Sequence, residues 1–209
     1  MDNIYLNFNF SLIFINFILC SLNFNKVGSA FKTLCLYMGF ITFFVILLKF
    51  SYQINIHSFF ISHIFFFGQF FFLSTFYSQI MREKLQQKFI YYTQIIVPIL
   101  LLTQYFFNPE LLNKFNLLEI YLISFLIIVY VLFHFYDMLN VEKYFYYNSV
   151  AILVYQLGTV ILYSTGNLFL EHNPKLNLFT FDLINILGII TQAITFIGWR
   201  NYYKMKTRS

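Results

Sequence analysis

Charge is what this chain has least of. Thirteen Lys and Arg and eight Asp and Glu make up 10% of its 209 residues, where a soluble domain carries about 25%. So few charged groups cannot cover a water-exposed surface. That excludes a soluble enzyme, a disordered chain and a nucleic-acid-binding module, in spite of a pI near 9.1.

Catalytic patterns are missing as well. There is no HExxH, and the four histidines, His57, His63, His134 and His172, lie on different segments or at spacings unsuited to a shared metal. There is no GxSxG or SxxK to set up a serine nucleophile. No candidate span carries Asp or Glu near its centre, which argues against an ion relay of the usual intramembrane kind and against paired intramembrane aspartates. A retinal protein needs a Schiff-base lysine in its last helix, where this chain has Thr191 and Gln192. No catalytic residue, cofactor or metal is therefore implied. The N-terminus also lacks the marks of a signal peptide: Asp2 stands where a basic region belongs, and no small-x-small site closes the apolar run.

What is abundant is apolar and aromatic. Hydrophobic residues are 60% and aromatics 23% of the chain, and the mean hydropathy is +0.71. Seven windows hold no formal charge, at 3–25, 33–48, 50–81, 89–109, 120–136, 144–170 and 183–199. Crossing about 30 Å of hydrocarbon takes roughly 17–25 helical residues. The expected fold class is all-α, a polytopic membrane protein with seven transmembrane helices in one domain, 1–209. Its spans are expected near 4–22, 31–49, 58–78, 89–107, 117–136, 146–168 and 181–200.

Basic residues give the expected orientation. With the C-terminus in the cytoplasm, seven spans put the N-terminus outside. The inner segments then hold Lys26, Lys32, Arg82, Lys84, Lys88, Lys143, Arg200, Lys204, Lys206 and Arg208, and the outer ones Lys49, Lys114 and Lys175. Tyr77, Tyr91, Tyr92, Tyr136, Tyr144, Tyr146, Tyr147, Tyr202 and Tyr203 gather at the same inner interface, with Trp199 beside Arg200. An AT-rich genome accounts for much of the count of 31 Phe. The positive charge suits anionic lipid headgroups, so the lipid bilayer is the expected partner and nucleic acid is not. Cys20 and Cys35 fall near the cytoplasmic face, where a reducing setting disfavours a disulfide.

Uncharged polar residues recur at helical spacing. Ser149, Gln156, Thr159, Tyr163 and Asn167 share a face of the sixth span, and Asp182, Asn185, Gly188, Gln192 and Thr195 a face of the seventh. The third span offers Ser62 and Gln69 with His63 alongside, and the fourth has Gln94 with Pro98 one turn later. Such stripes serve as packing seams between helices in lipid. Alternatively they open outward as a pocket, whose candidate ligand-binding residues are Gln69, Gln156, Asn167, Asp182, Asn185 and Gln192. Pro98 could mark a kink near that pocket. His63, one turn into its span and shallow enough to be hydrated, is a candidate outward pH sensor, as is His172. Asn108-Pro109-Glu110 has the form of a helix start that would open a short amphipathic segment, 111–115, but it and Asn173-Pro174 are both more simply read as loop punctuation.

The run Tyr146-Tyr147-Asn148-Ser149-Val150-Ala151, with Tyr155, Gly158 and Asn167, resembles a motif of an uncharacterised family of small seven-helix integral membrane proteins abundant in Bacteroidetes. Gln69, Tyr77 and the basic loop after them resemble the same family, as do Asn185 and Gly198-Trp199-Arg200. The resemblance implies an architecture and a bacterial inner-membrane address, not a reaction. Family members often carry an acidic residue in the second and third spans; the second has none here, and Gln69 stands where a carboxylate would be. In layout the chain is more distantly similar to the seven-helix sensory regions of bacterial histidine kinases.

The leading expectation is thus a non-enzymatic membrane sensor or accessory subunit. It would bind a small ligand, lipid or membrane partner between the outer ends of helices 3, 6 and 7, and signal to a cytoplasmic protein. The alternative is a small transporter or lipid carrier using the same polar stripes. A lipid-acting enzyme with Glu171, His172 and Asp182 as acid/base groups is a third reading, but it lacks a nucleophile. The oligomeric state is left open.

Overall fold

A computed structural model describes residues 4–22, 24, 27–53, 59–114, 116–140, 145–169 and 174–206. Seven α-helices account for nearly all of them: α1 (Ile4–Ser21), α2 (Ser29–Gln53), α3 (Phe59–Ile80), α4 (Lys84–Phe107), α5 (Leu117–Asp137), α6 (Tyr146–Phe169) and α7 (Pro174–Lys206). No strand occurs among the described residues. All seven are long and apolar enough to cross a membrane, as a multi-pass membrane protein requires. An apolar chain in lipid must satisfy its backbone groups internally, and a helix does so within a single segment. Hydroxyls on these helices follow the same rule: Ser11, Thr42, Thr75, Thr103 and Thr195 each donate to the carbonyl four residues earlier.

Two proline turns differ from each other in outcome. Pro174 opens α7 rather than punctuating a loop, so this helix begins well before residue 181. A proline at a helix start gives up an N–H that has no intrahelical partner anyway. The Asn108-Pro109-Glu110 sequence does start a helix, but a 3-10 one, Pro109–Asn113, carrying an exposed Glu110–Lys114 pair at 3.9 Å. Leu111 and Leu112 pack against the core; Phe115 lies outside the described residues. Through Pro98, α4 continues unbroken as helix. One turn earlier, Gln94 Nε2 donates to Thr75 Oγ1 at 3.0 Å and ties α4 to α3.

The helices alternate in direction. Lys49 near the end of α2 meets Asn7 near the start of α1 at 3.3 Å, while Phe31 at the start of α2 packs on Trp199 and Tyr202 near the end of α7. Their packing closes a circuit, α1–α2–α3–α5–α6–α7 and back to α1, and α4 lies outside it against α3 and α5. The outward face of α4 leaves Tyr91, Ile95, Ile99, Leu102 and Phe106 exposed, as a lipid-facing helix would. Close approach of α6 and α7 depends on Gly158, where an added methyl would overlap Leu187.

Cys20 and Cys35 are joined as a disulfide with their Cα atoms 5.6 Å apart, and among the described residues there is no free cysteine. The expectation of two unlinked thiols is corrected. The antiparallel pairing of α1 and α2 brings the last turn of one beside the second turn of the other, at a separation within the usual range for a disulfide.

Candidate functional site

Asn116 sets up the start of α5. It is the N-cap, and its side-chain carbonyl accepts from the backbone N–H of Glu119 at 3.4 Å. Glu119 therefore occupies the first turn of the helix, where the positive end of the helix dipole favours a carboxylate. Its side chain turns inward and is 0% exposed.

Two other helices supply its partners. His63, in the second turn of α3, is 5% exposed, and its Nδ1 lies 2.6 Å from Glu119 Oε2. Tyr105, in the last turn of α4, donates its hydroxyl to the same carboxylate oxygen and lies 3.0 Å from His63 Nδ1. Asn116 Nδ2 donates to the Tyr105 hydroxyl at 3.2 Å and to Gln104 Oε1 at 3.0 Å. A carboxylate, an imidazole and a phenol from three helices thus share one buried site. Two of its atoms, Glu119 Oε1 and His63 Nε2, are buried without a hydrogen-bond partner. Both can take a proton or face a small polar molecule, and an unsatisfied buried polar atom is costly when left bare.

This arrangement corrects one reading of the sequence: His63 is buried and has a carboxylate partner rather than lying hydrated and alone. Glu119 is held inside the bundle near the end of a span, in keeping with the absence of Asp and Glu near any span centre. The local signal for Glu119 was the Asn-x-x-Glu pattern ahead of an apolar run, a capping pattern that marks a helix start. Nothing local pointed to Tyr105 or to the long-range pairing.

The polar stripes turn toward several neighbours. Gln69 is fully buried on α3. Gln192 of α7 is taken up by α1, its Oε1 accepting from Asn16 Nδ2 at 2.8 Å. Gln156 on α6 and Asn185 on α7 are buried, and Asp182 is partly exposed. The Asn167 side chain lies outside the described residues, as do Glu171, His172 and His57. The Nε2 atoms of Gln69 and Gln156 have no hydrogen-bond partner. One interhelical seam, α1 to α7, is thus explicit.

At the opposite end of the bundle, His134 Nδ1 of α5 lies 2.8 Å from Ser149 Oγ of α6, and the Tyr77 hydroxyl donates to the same oxygen at 3.3 Å. Ser149 belongs to the sixth-span stripe and here joins α3, α5 and α6.

No family model, curated protein or solved structure matches the chain, and its function is argued from these sites.

Proposed function

We propose that the chain is a non-enzymatic membrane sensor or accessory subunit whose responsive element is the His63–Glu119–Tyr105 cluster. The observation that carries this reading is the burial of a hydrogen-bonded His and Glu with two unpartnered polar atoms at the junction of α3, α4 and α5. Buried ionisable groups inside a membrane bundle are costly and mark functional sites. A small polar ligand at Glu119 Oε1 or His63 Nε2 changes the pairing among three helices and so biases their packing.

The basic residues orient the reading. Counted as above, they favour an external N-terminus and a cytoplasmic C-terminus; the resemblance to the Bacteroidetes family implies a bacterial inner membrane. The His63 cluster then faces outward and Arg82, Arg200 and the C-terminal tail face a cytoplasmic partner. The same outer end of the bundle holds Asp182 and Asn185 of α7.

The test is purification in lipid nanodiscs through a C-terminal tag, with mass spectrometry of everything retained. A stoichiometric cytoplasmic regulator whose retention changes in Glu119→Gln supports the sensor reading. Retention unaltered by Glu119→Gln, or no regulator at all, overturns it.

A second reading, a small transporter or lipid carrier, draws on the unpartnered Nε2 atoms of Gln69 and Gln156 inside the bundle. Flux in proteoliposomes that falls in Gln156→Leu supports it.

A further inference from the structure

At the end of the bundle away from His63, a pocket of about 350 Å³ opens where the α3–α4 turn, the end of α5 and the end of α7 converge. Arg82 and Asp137 both line it, together with His134, Gln79, Phe145 and Tyr202. The two charged residues line one pocket without forming an ion pair. Asp137 Oδ2 accepts from the backbone N–H of Arg82 at 3.1 Å, while the guanidinium makes no ion pair; among the described residues, the ion pairs are His63–Glu119 and Lys114–Glu110. Phe145 and Tyr202 stack as one wall, with centroids 5.2 Å apart.

An unpaired cation and an unpaired anion lining one small cavity complement a ligand that carries both signs. The guanidinium fork suits two oxygens of a phosphate. The Asp137 carboxylate suits an ammonium, and an aromatic wall favours a cation beside it. The pocket also sits at the ends of membrane-spanning helices, the depth of lipid headgroups.

We propose that this pocket binds a phosphate–ammonium zwitterion of the ethanolamine phosphate type. Arg82 holds the phosphate and Asp137 the ammonium. The chemistry is the same whether the zwitterion is the headgroup of an ethanolamine phospholipid or soluble phosphoethanolamine. The site is independent of the His63 cluster.

The experiment uses the full chain in nanodiscs of phosphatidylglycerol alone, titrated calorimetrically with phosphoethanolamine, inorganic phosphate and ethanolamine. In parallel, native mass spectrometry reads which lipid is retained from a mixture of phosphatidylethanolamine and phosphatidylglycerol. Phosphoethanolamine binding at least about tenfold tighter than either half, the worth of one further charge-assisted hydrogen bond, is expected for a soluble ligand. Selective retention of phosphatidylethanolamine without soluble binding assigns the lipid as the source. In Asp137→Asn, the advantage of the ammonium disappears while binding of phosphate persists; in Arg82→Gln, both are lost. Asparagine keeps an oxygen for the Arg82 N–H, and the contact Arg82 makes is through its backbone, so both variants retain the fold. Arg82→Lys, which keeps the charge without the fork, serves as a second variant and gives intermediate affinity. No preference for the zwitterion over its halves and no selective lipid retention would overturn the proposal, as would unchanged binding or retention in both charge-removing variants.

Discussion

His63 and Glu119 lie 56 residues apart in sequence, yet their side chains meet at 2.6 Å in the interior of the bundle. The contact ties α3 to α5, helices that are not consecutive, and Tyr105 adds α4 to the same carboxylate. Removing one partner of such a pair leaves the other buried and unsatisfied. Glu119→Leu, which takes the carboxylate from both His63 and Tyr105, is expected to destabilise the fold by about 1–3 kcal/mol. The double variant His63→Leu/Glu119→Leu recovers part of that loss, because His63 is no longer left buried without its partner. Unfolding in mixed micelles across the double-mutant cycle reads the coupling directly, and additive losses in the two single variants count against the pair.

Tyr105→Phe keeps the ring and removes only the hydroxyl that joins Asn116 to Glu119. It is expected to cost about 1–3 kcal/mol, the range for leaving a buried partner unsatisfied. The same micelle unfolding assay measures it, and a neutral result would show that the carboxylate finds another donor.

Across the α1–α7 seam, Asn16 donates to both the backbone carbonyl and the side chain of Gln192. Asn16→Leu is expected to lower stability by roughly 0.6 kcal/mol and by no more than about 1.7 kcal/mol, the measured scale of interhelical hydrogen bonds in membranes. A loss several times larger would mean that the seam also supports something beyond these bonds.

Gly158→Val tests close packing instead of polarity. The added side chain meets Leu187 of α7, and overpacking of this kind typically costs about 1–3 kcal/mol. Pairing it with Leu187→Ala is expected to restore part of the loss, as read by thermal unfolding of the purified protein.

The disulfide makes a chemical prediction. Native protein purified without reductant is expected to take up no maleimide, even after unfolding, until the Cys20–Cys35 bond is reduced. Mass spectrometry after labelling counts the adducts, and labelling of unfolded, unreduced protein would show free thiols.

The sequence alone determined the class, all-helical with seven apolar segments long enough to cross a membrane. Scarcity of charge and long apolar runs leave helices as the economical way to satisfy the backbone in lipid, and that constraint is local. Element ends were less legible: Pro174 is compatible with a turn or with the first residue of a helix, and only its neighbours decide that it opens α7. The polar stripes were visible as faces, but periodicity states which side of a helix is polar and not which helix it meets. Gln192 could have faced α3 or α6, and tertiary packing gives it to Asn16 of α1. The same limit hid the candidate site. His63 and Glu119 each sit near a span end, where a charged side chain ordinarily reaches water. Packing α3, α4 and α5 together removes that water and leaves Glu119 0% exposed, so their pairing exists only in the assembled bundle, where a carboxylate cut off from solvent needs a partner.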